Sequence, residues 1–142
     1  MKVVINKRSG GGFALSNKAF TEYRKRKGLN TYFYKYLAEE VYRKIGEDEL
    51  NEDRSWIFSF AFNKDFGDEI KSEEFPFDNL VSSGDIKRND PDLIAVVEEL
   101  GEEANTEYSM LKIVEIPDDV EWIIEDDGSG HEWVAEKHRT WG

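Results

Sequence analysis

The sequence predicts an α+β fold, a mostly antiparallel sheet with two helices in a single domain, and three observations lead there. Short runs of aromatic and β-branched residues alternate with polar ones, most clearly at Thr31 to Tyr36 and Trp56 to Phe62. Two other segments carry helix start signals followed by apolar stripes at helical spacing. The strand runs follow one another across turns rather than alternating regularly with helices, which favours antiparallel pairing.

Taken in order, Val3, Val4 and Ile5 form a short strand that ends in the turn residues Ser9-Gly10-Gly11-Gly12. Ser16 is a good N-cap for the first helix, with Leu15 and Phe20 at the two positions of a hydrophobic staple and Gly28 as a stop. Arg24, Arg26 and Lys27 fall in its last turn, where cations suit the helix dipole. Tyr32, Tyr34 and Tyr36 mark a half-buried strand. Leu37 to Ile45 fits either a helix or a strand, and residues 37–83 as a whole are the poorly assigned part of the chain. Trp56, Phe58, Phe60 and Phe62 alternate with smaller residues, and with no basic residues among them they read as sheet core rather than a base-stacking platform.

Residues 63–89 hold much Gly, Pro, Asp, Asn and Ser and read as a long connection, a length that in compact domains tends to be functional or partly disordered. Asp90-Pro91 opens the second helix as cap and first-turn proline, and Leu93, Val96, Val97, Leu100 and Ala104 form its stripe. Glu98, Glu99, Glu102 and Glu103 lie opposite, as a solvated face. Met110 to Ile116, Val120 to Ile124 and Trp133 to Lys137 read as strands, the last two joined across Asp126-Asp127-Gly128-Ser129-Gly130.

The chain has 142 residues, 39% of them apolar and 13% aromatic, enough for a core despite 35% charged residues. It has no cysteine, which excludes disulfides, thiolate zinc sites and a cysteine nucleophile, and makes the cytoplasm the expected setting. The opening residues turn polar too soon for a signal peptide, and no apolar run reaches membrane-spanning length, so no membrane partner is expected. Residues 1–28 carry eight basic side chains against one acid, while the remaining 114 residues carry eleven against thirty. That field repels nucleic acid and favours basic partners, yet leaves the N-terminal segment able to hold an anion. The alternative is that the two regions neutralise each other, within one chain or between subunits of a homo-oligomer.

The strand, glycine loop and helix of Asn6 to Ser16 resemble a phosphate cradle, with Lys7 and Arg8 adding charge and Gly11 and Gly12 letting backbone N–H groups approach an anion. Neither a P-loop nor a dinucleotide fingerprint is present, and a purely structural turn explains the same residues. At the other end, His138, Arg139 and Trp141 combine an imidazole, a cation fork and a large aromatic face, a set that suits a nucleotide or simply pins the terminus. His131 and His138 lack partners at metal-ligand spacing, the Asp126 to Glu132 segment misses the calcium-loop pattern, and no nucleophile stands in a recognisable strained turn. No enzyme, metal or cofactor is therefore expected.

Several short motifs resemble a family of small acidic phage and prophage proteins: Ile5-Asn6-Lys7, Gly11-Gly12-Phe13, Leu15-Ser16, Asp90-Pro91, Glu115 to Trp122 and Glu136 to Trp141. The likeness spans residues 1–36 and 84–141. Residues 37–83 do not align, and Arg8-Ser9-Gly10 departs from the shorter form of that family. The chain is also similar to Thoeris anti-defence proteins, sponges that bind a cyclic ADP-ribose isomer made as an alarm signal and hold it uncleaved. The resemblance implies an oligomer whose pockets hold a small anionic nucleotide. Expected there are Lys7, Arg8, Arg88 and Arg139 on phosphates, Phe13 or Trp141 stacking, Asn6 or Asn89 in hydrogen bonds, and Gly11, Gly12, Ser16 and His138 around them. The competing expectation is an inhibitor whose acids, Glu98 to Glu103 and Glu115 to Asp127, imitate DNA and occupy a basic groove on a host protein.

Overall fold

A computed structural model describes residues 1–37, 39–46, 49 and 59–137. The elements are β1 (Lys2–Asn6), α1 (Asn17–Arg26), β2 (Tyr32–Leu37), β3 (Val41–Ile45), β4 (Ser59–Phe62), β5 (Glu69–Lys71), β6 (Leu80–Val81), α2 (Pro91–Leu100), β7 (Leu111–Glu115), β8 (Trp122–Asp126) and β9 (Glu132–Glu136). The fold is α+β, as the alternation and the two cap signals predict. Its strands divide into a five-stranded sheet of order β5-β3-β2-β4-β6 and two ribbons, β1-β7 and β8-β9, with every pairing antiparallel.

Period-two alternation gives the five-stranded sheet two apolar faces. Phe33, Ile45 and Ala61, aligned across β2, β3 and β4, pack with Leu15, Ala19 and Phe20 of the α1 region and with Leu93, Val96 and Val97 of α2. Val4 joins the same core from β1. On the opposite face Tyr34, Phe62 and Ile70 are buried under Phe66 and Phe75, and Phe60 and Tyr42 meet edge to face at 5.5 Å. Phe60 and Phe62 are thus sheet core as expected, while Trp56 and Phe58 of the same row lie outside the described residues.

Leu37 to Ile45 resolves as a hairpin, with Leu37 opposite Val41 and left-handed backbone at Glu39 (φ 71°) and Glu40 (φ 60°). Glutamate rarely adopts that conformation, so the turn leaves no mark in the sequence. Residues 63–89, expected as a long connection, include the two edge strands β5 and β6 and three short 3-10 turns. Strands of three and two residues are too short to show a period, and Ile70 is the only residue of either that is buried.

Both helix starts are as the caps predict. Ser16 Oγ accepts from the Ala19 N–H at 3.1 Å, and Asp90 accepts from the Asp92 N–H at 2.9 Å, with Pro91 in the first turn. α2 ends at Leu100 because Gly101 turns left-handed (φ 57°), so Ala104 reaches the core from a 3-10 turn rather than from the helix stripe. The glutamates beyond that stripe are not simply solvated. Lys2 pairs with Glu98, Arg26 with Glu99 and Lys18 with Glu103, while Lys27 bridges Asp90 and Asp92. Tyr23 also donates to Asp90, at 2.8 Å. Burial alone would raise the Asp90 carboxyl, but Tyr23, the Asp92 N–H and Lys27 together hold it below its ordinary value; burial and then Asp90 push the Tyr23 hydroxyl up to about 12.

Candidate functional site

Strand β1 is buried from Val3 to Asn6 and, among the described residues, has a β neighbour on one edge only, β7. A buried N–H on the other edge needs a partner. Val4 finds the Arg88 carbonyl at 2.8 Å, and Asn6 finds the Glu132 carboxylate at 2.8 Å. The same carboxylate receives Arg88 in a two-pronged pair, 2.7 and 3.0 Å, and the guanidinium lies 3.6 Å above the centre of the Phe13 ring. Arg88 and Glu132 are therefore joined to β1, to the glycine loop and to the β8-β9 ribbon at once.

Asn6 is fully buried, and each hydrogen-bonding position of its amide is filled. Its NH2 donates to the Arg8 carbonyl (3.0 Å) and the Gly130 carbonyl (2.7 Å), while Oδ1 accepts from the Arg8 N–H (3.3 Å) and the Met110 N–H (2.9 Å). The loop that follows is wedged between two backbone segments. A Cβ on Gly11 would stand 1.9 Å from the Tyr108 carbonyl oxygen, and one on Gly130 would stand 2.0 Å from the Gly11 carbonyl oxygen. Gly10, left-handed at φ 85°, donates its N–H to Ser129 at 2.8 Å. The turn at Thr106 to Ser109 closes the other side, with Ser109 Oγ donating to the Ala14 carbonyl at 3.0 Å.

These contacts change the roles expected of several residues. The Asn6 amide is spent on holding the loop. The Ser16 hydroxyl is spent on Ala19 and on the Glu103 carbonyl. The Arg88 guanidinium has its charge paired with Glu132, gives a third N–H to the Val4 carbonyl at 3.4 Å and covers one face of Phe13. Asn89 is exposed, and among the described residues its side chain has a hydrogen-bond contact only with the Met1 sulfur, at 3.8 Å. His138, Arg139 and Trp141 lie outside the described residues.

What stays open is Lys7, Arg8 and the loop backbone. Among the described residues neither cation has an acid partner, whereas Lys2, Lys18, Lys25, Arg26 and Lys27 of the same basic segment all do. The N–H groups of Gly11, Gly12 and Phe13 have no protein acceptor among the described residues. These three residues line a cavity of about 380 Å³ together with Gly10, Ala14, Thr106 and Tyr108. Free N–H groups beside two uncommitted cations suit an anion.

The sequence reading missed Glu132, Gly130 and Tyr108. Gly130 carried a signal, since Gly128-Ser129-Gly130 has one glycine more than a tight turn needs, but its partner Gly11 is distant in sequence. Glu132 is one acid among thirty-one, and nothing local sets it apart. No family model matches the chain, and neither a curated protein nor a solved structure matches it.

Proposed function

We propose that the chain is a non-catalytic binding protein that holds a small anionic nucleotide at the glycine loop and sequesters it uncleaved, as the sponge proteins it resembles do. The observation that supports this most is a cavity lined by Gly11, Gly12 and Phe13, whose N–H groups have no protein acceptor among the described residues, in the same loop segment as Lys7 and Arg8, which have no acid partner among them. Sequestration needs affinity alone, so a site of cations, amides and aromatic faces suffices. On this reading the ligand is a cyclic ADP-ribose isomer or a cyclic oligonucleotide, the protein works as a homo-oligomer in the host cytoplasm, and the role is phage anti-defence.

Melting curves with cyclic ADP-ribose isomers, cyclic oligonucleotides and pyrophosphate test it. A ligand at a hundred times its Kd adds about 2.7 kcal/mol, which for a domain of this size is a rise of roughly 5–10 °C. The Lys7→Ala/Arg8→Ala variant abolishes that rise. Absence of any shift with every anionic nucleotide would falsify the reading.

A second reading, the acidic inhibitor, has one specific observation in its favour. Residues 113–136 contain nine acids and no lysine or arginine, and among the described residues only Asp118, with the N-terminal amine, and Glu132, with Arg88, of those acids form an ion pair that does not depend on a histidine. The α2 acids, by contrast, are largely compensated, so a mimic surface would be the β8-β9 ribbon. A stoichiometric basic protein whose capture weakens steeply with salt favours this reading, and a nucleotide retained in a native mass spectrum favours the first.

A further inference from the structure

A second cavity, of about 390 Å³, opens where the start of α1 faces β4 and β6, and it shares Phe13 and Ala14 with the glycine-loop cavity. None of its fourteen lining residues ionises, in a chain where 35% of residues are charged. The adjoining cleft of about 470 Å³ differs, being edged by Arg24, Lys27, Asp85, Lys87 and Asp90. The charge-free cavity has aromatic walls, from Phe13, Phe20 and Phe33.

Its polar groups are few and specific. Ser83 Oγ accepts from the Leu15 N–H at 3.2 Å, and Ser59 Oγ accepts from the Asn17 amide at 3.2 Å. Both hydroxyl protons lack an acceptor among the described residues, and Asn17 Oδ1 lacks a donor. With the Ser82 hydroxyl, which accepts from the Gly84 N–H at 3.2 Å and whose proton also lacks an acceptor among the described residues, three donors and one acceptor in an apolar, aromatic recess complement a flat ring that carries ring-nitrogen acceptors and an exocyclic amine. A phosphate or a sugar acid would be desolvated there with no counter-charge.

We propose that this cavity binds the neutral base of a purine nucleoside or nucleotide. The inference deepens the reading of the glycine loop as an anion site, and rests on it only for the claim that one ligand spans both. Phe13 is then the shared wall between base and phosphate, with Arg88 fixing its ring from one side.

Amide NMR spectra titrated separately with adenosine, guanosine and inorganic pyrophosphate divide the two claims. Adenosine or guanosine should move the amides of Asn17, Ser59 to Ala61 and Ser82 to Gly84. Two plugs, Ser59→Phe and Gly84→Leu, should weaken that response by roughly tenfold or more. Gly84 has ordinary backbone angles, and a Cβ there meets only Ser82 Oγ, at 3.6 Å, so the second plug keeps the fold if the first does not. Pyrophosphate should move Gly10 to Phe13 in the plugged proteins as in the parent, and lose its effect only in Lys7→Ala/Arg8→Ala. Nucleosides that leave the cavity amides still, or that bind equally well to a folded plugged variant, overturn the proposal. Pyrophosphate failing while nucleosides bind sinks the loop reading and leaves the base site standing.

Discussion

Replacing Glu132 by glutamine asks whether Arg88 belongs to the frame of the protein or to its ligand. Glu132 is 9% exposed and its carboxylate accepts three hydrogen bonds, from the Asn6 N–H at 2.8 Å and from Arg88 at 2.7 and 3.0 Å. Glutamine keeps one acceptor oxygen but turns an NH2 toward a guanidinium that has lost its counter-charge. Breaking one partner of a buried pair costs about 3–5 kcal/mol, since the other charge stays desolvated. With about 2–4 °C per kcal/mol near this chain length, melting should fall by roughly 6–20 °C. Arg88→Met should cost less, because its thioether can still cover Phe13, and the double variant should be more stable than the two separate losses predict. Thermal denaturation followed by circular dichroism measures all three. Melting points within about 3 °C of the parent for both single variants, combined with loss of nucleotide binding in Arg88→Met, would refute the structural assignment and return Arg88 to the ligand.

Three further outcomes follow from the same geometry. Gly11→Ala and Gly130→Ala should each lose several kcal/mol in urea denaturation, because their methyl groups would stand 1.9 and 2.0 Å from carbonyl oxygens, while Gly12→Ala, which meets nothing within 4 Å, should be nearly neutral. Equal effects at Gly11 and Gly12 would show that the loop is not wedged. Glu40→Gly should raise stability by about 1 kcal/mol by relieving a left-handed glutamate (φ 60°), read from the urea midpoint at unchanged slope. Asp90, held below its ordinary value, contributes stability that is complete above that value and lost as pH falls below about 4, through its lowered folded value. Tyr23, raised to about 12, contributes up to about pH 10 and loses that contribution as pH climbs from 10 to 12. Asp90→Asn should flatten the acid limb, as measured by stability against pH.

The elements that were legible in the sequence are those whose signals are local. Ser16 and Asp90 announce their helices because a cap needs one side chain at one position. The alternation around Tyr34 and Phe62 announces a strand because burial on one face repeats every second residue. The hairpin turn at Glu39 and Glu40 was illegible because its residues oppose the conformation they adopt. β5 and β6 were illegible because they are set by neighbours already in the sheet. In the site, the loop and its two cations could be read, but their competition could not. Asn6, Ser16 and Arg88 look like ligand groups in sequence, and only three-dimensional packing against Gly130, Glu103 and Glu132 reveals that the Asn6 amide is fully engaged and that the Ser16 hydroxyl proton and the Arg88 charge already have partners.

That competition also gives the uneven charge a physical meaning. A basic opening segment against an acidic remainder would by itself suggest two mutually attracting halves, and most of it is that: Lys2, Lys18, Arg26 and Lys27 meet acids of α2 and its flanks. Such exposed pairs contribute little stability each, so their main effect is to quench the basic field over α1. Lys7 and Arg8 escape this because β1 ends beside the glycine loop, away from α2, with its acidic neighbour Glu132 already saturated by Arg88 and Asn6. Were Arg88 absent, the Glu132 carboxylate would keep only the Asn6 N–H, without a counter-charge, and would repel a phosphate brought to the loop. If the loop holds an anion as proposed, the buried pair serves it without touching it: Arg88→Met should weaken pyrophosphate binding while Arg88→Met/Glu132→Gln restores it, whereas a direct ligand role for Arg88 predicts no recovery in the double variant.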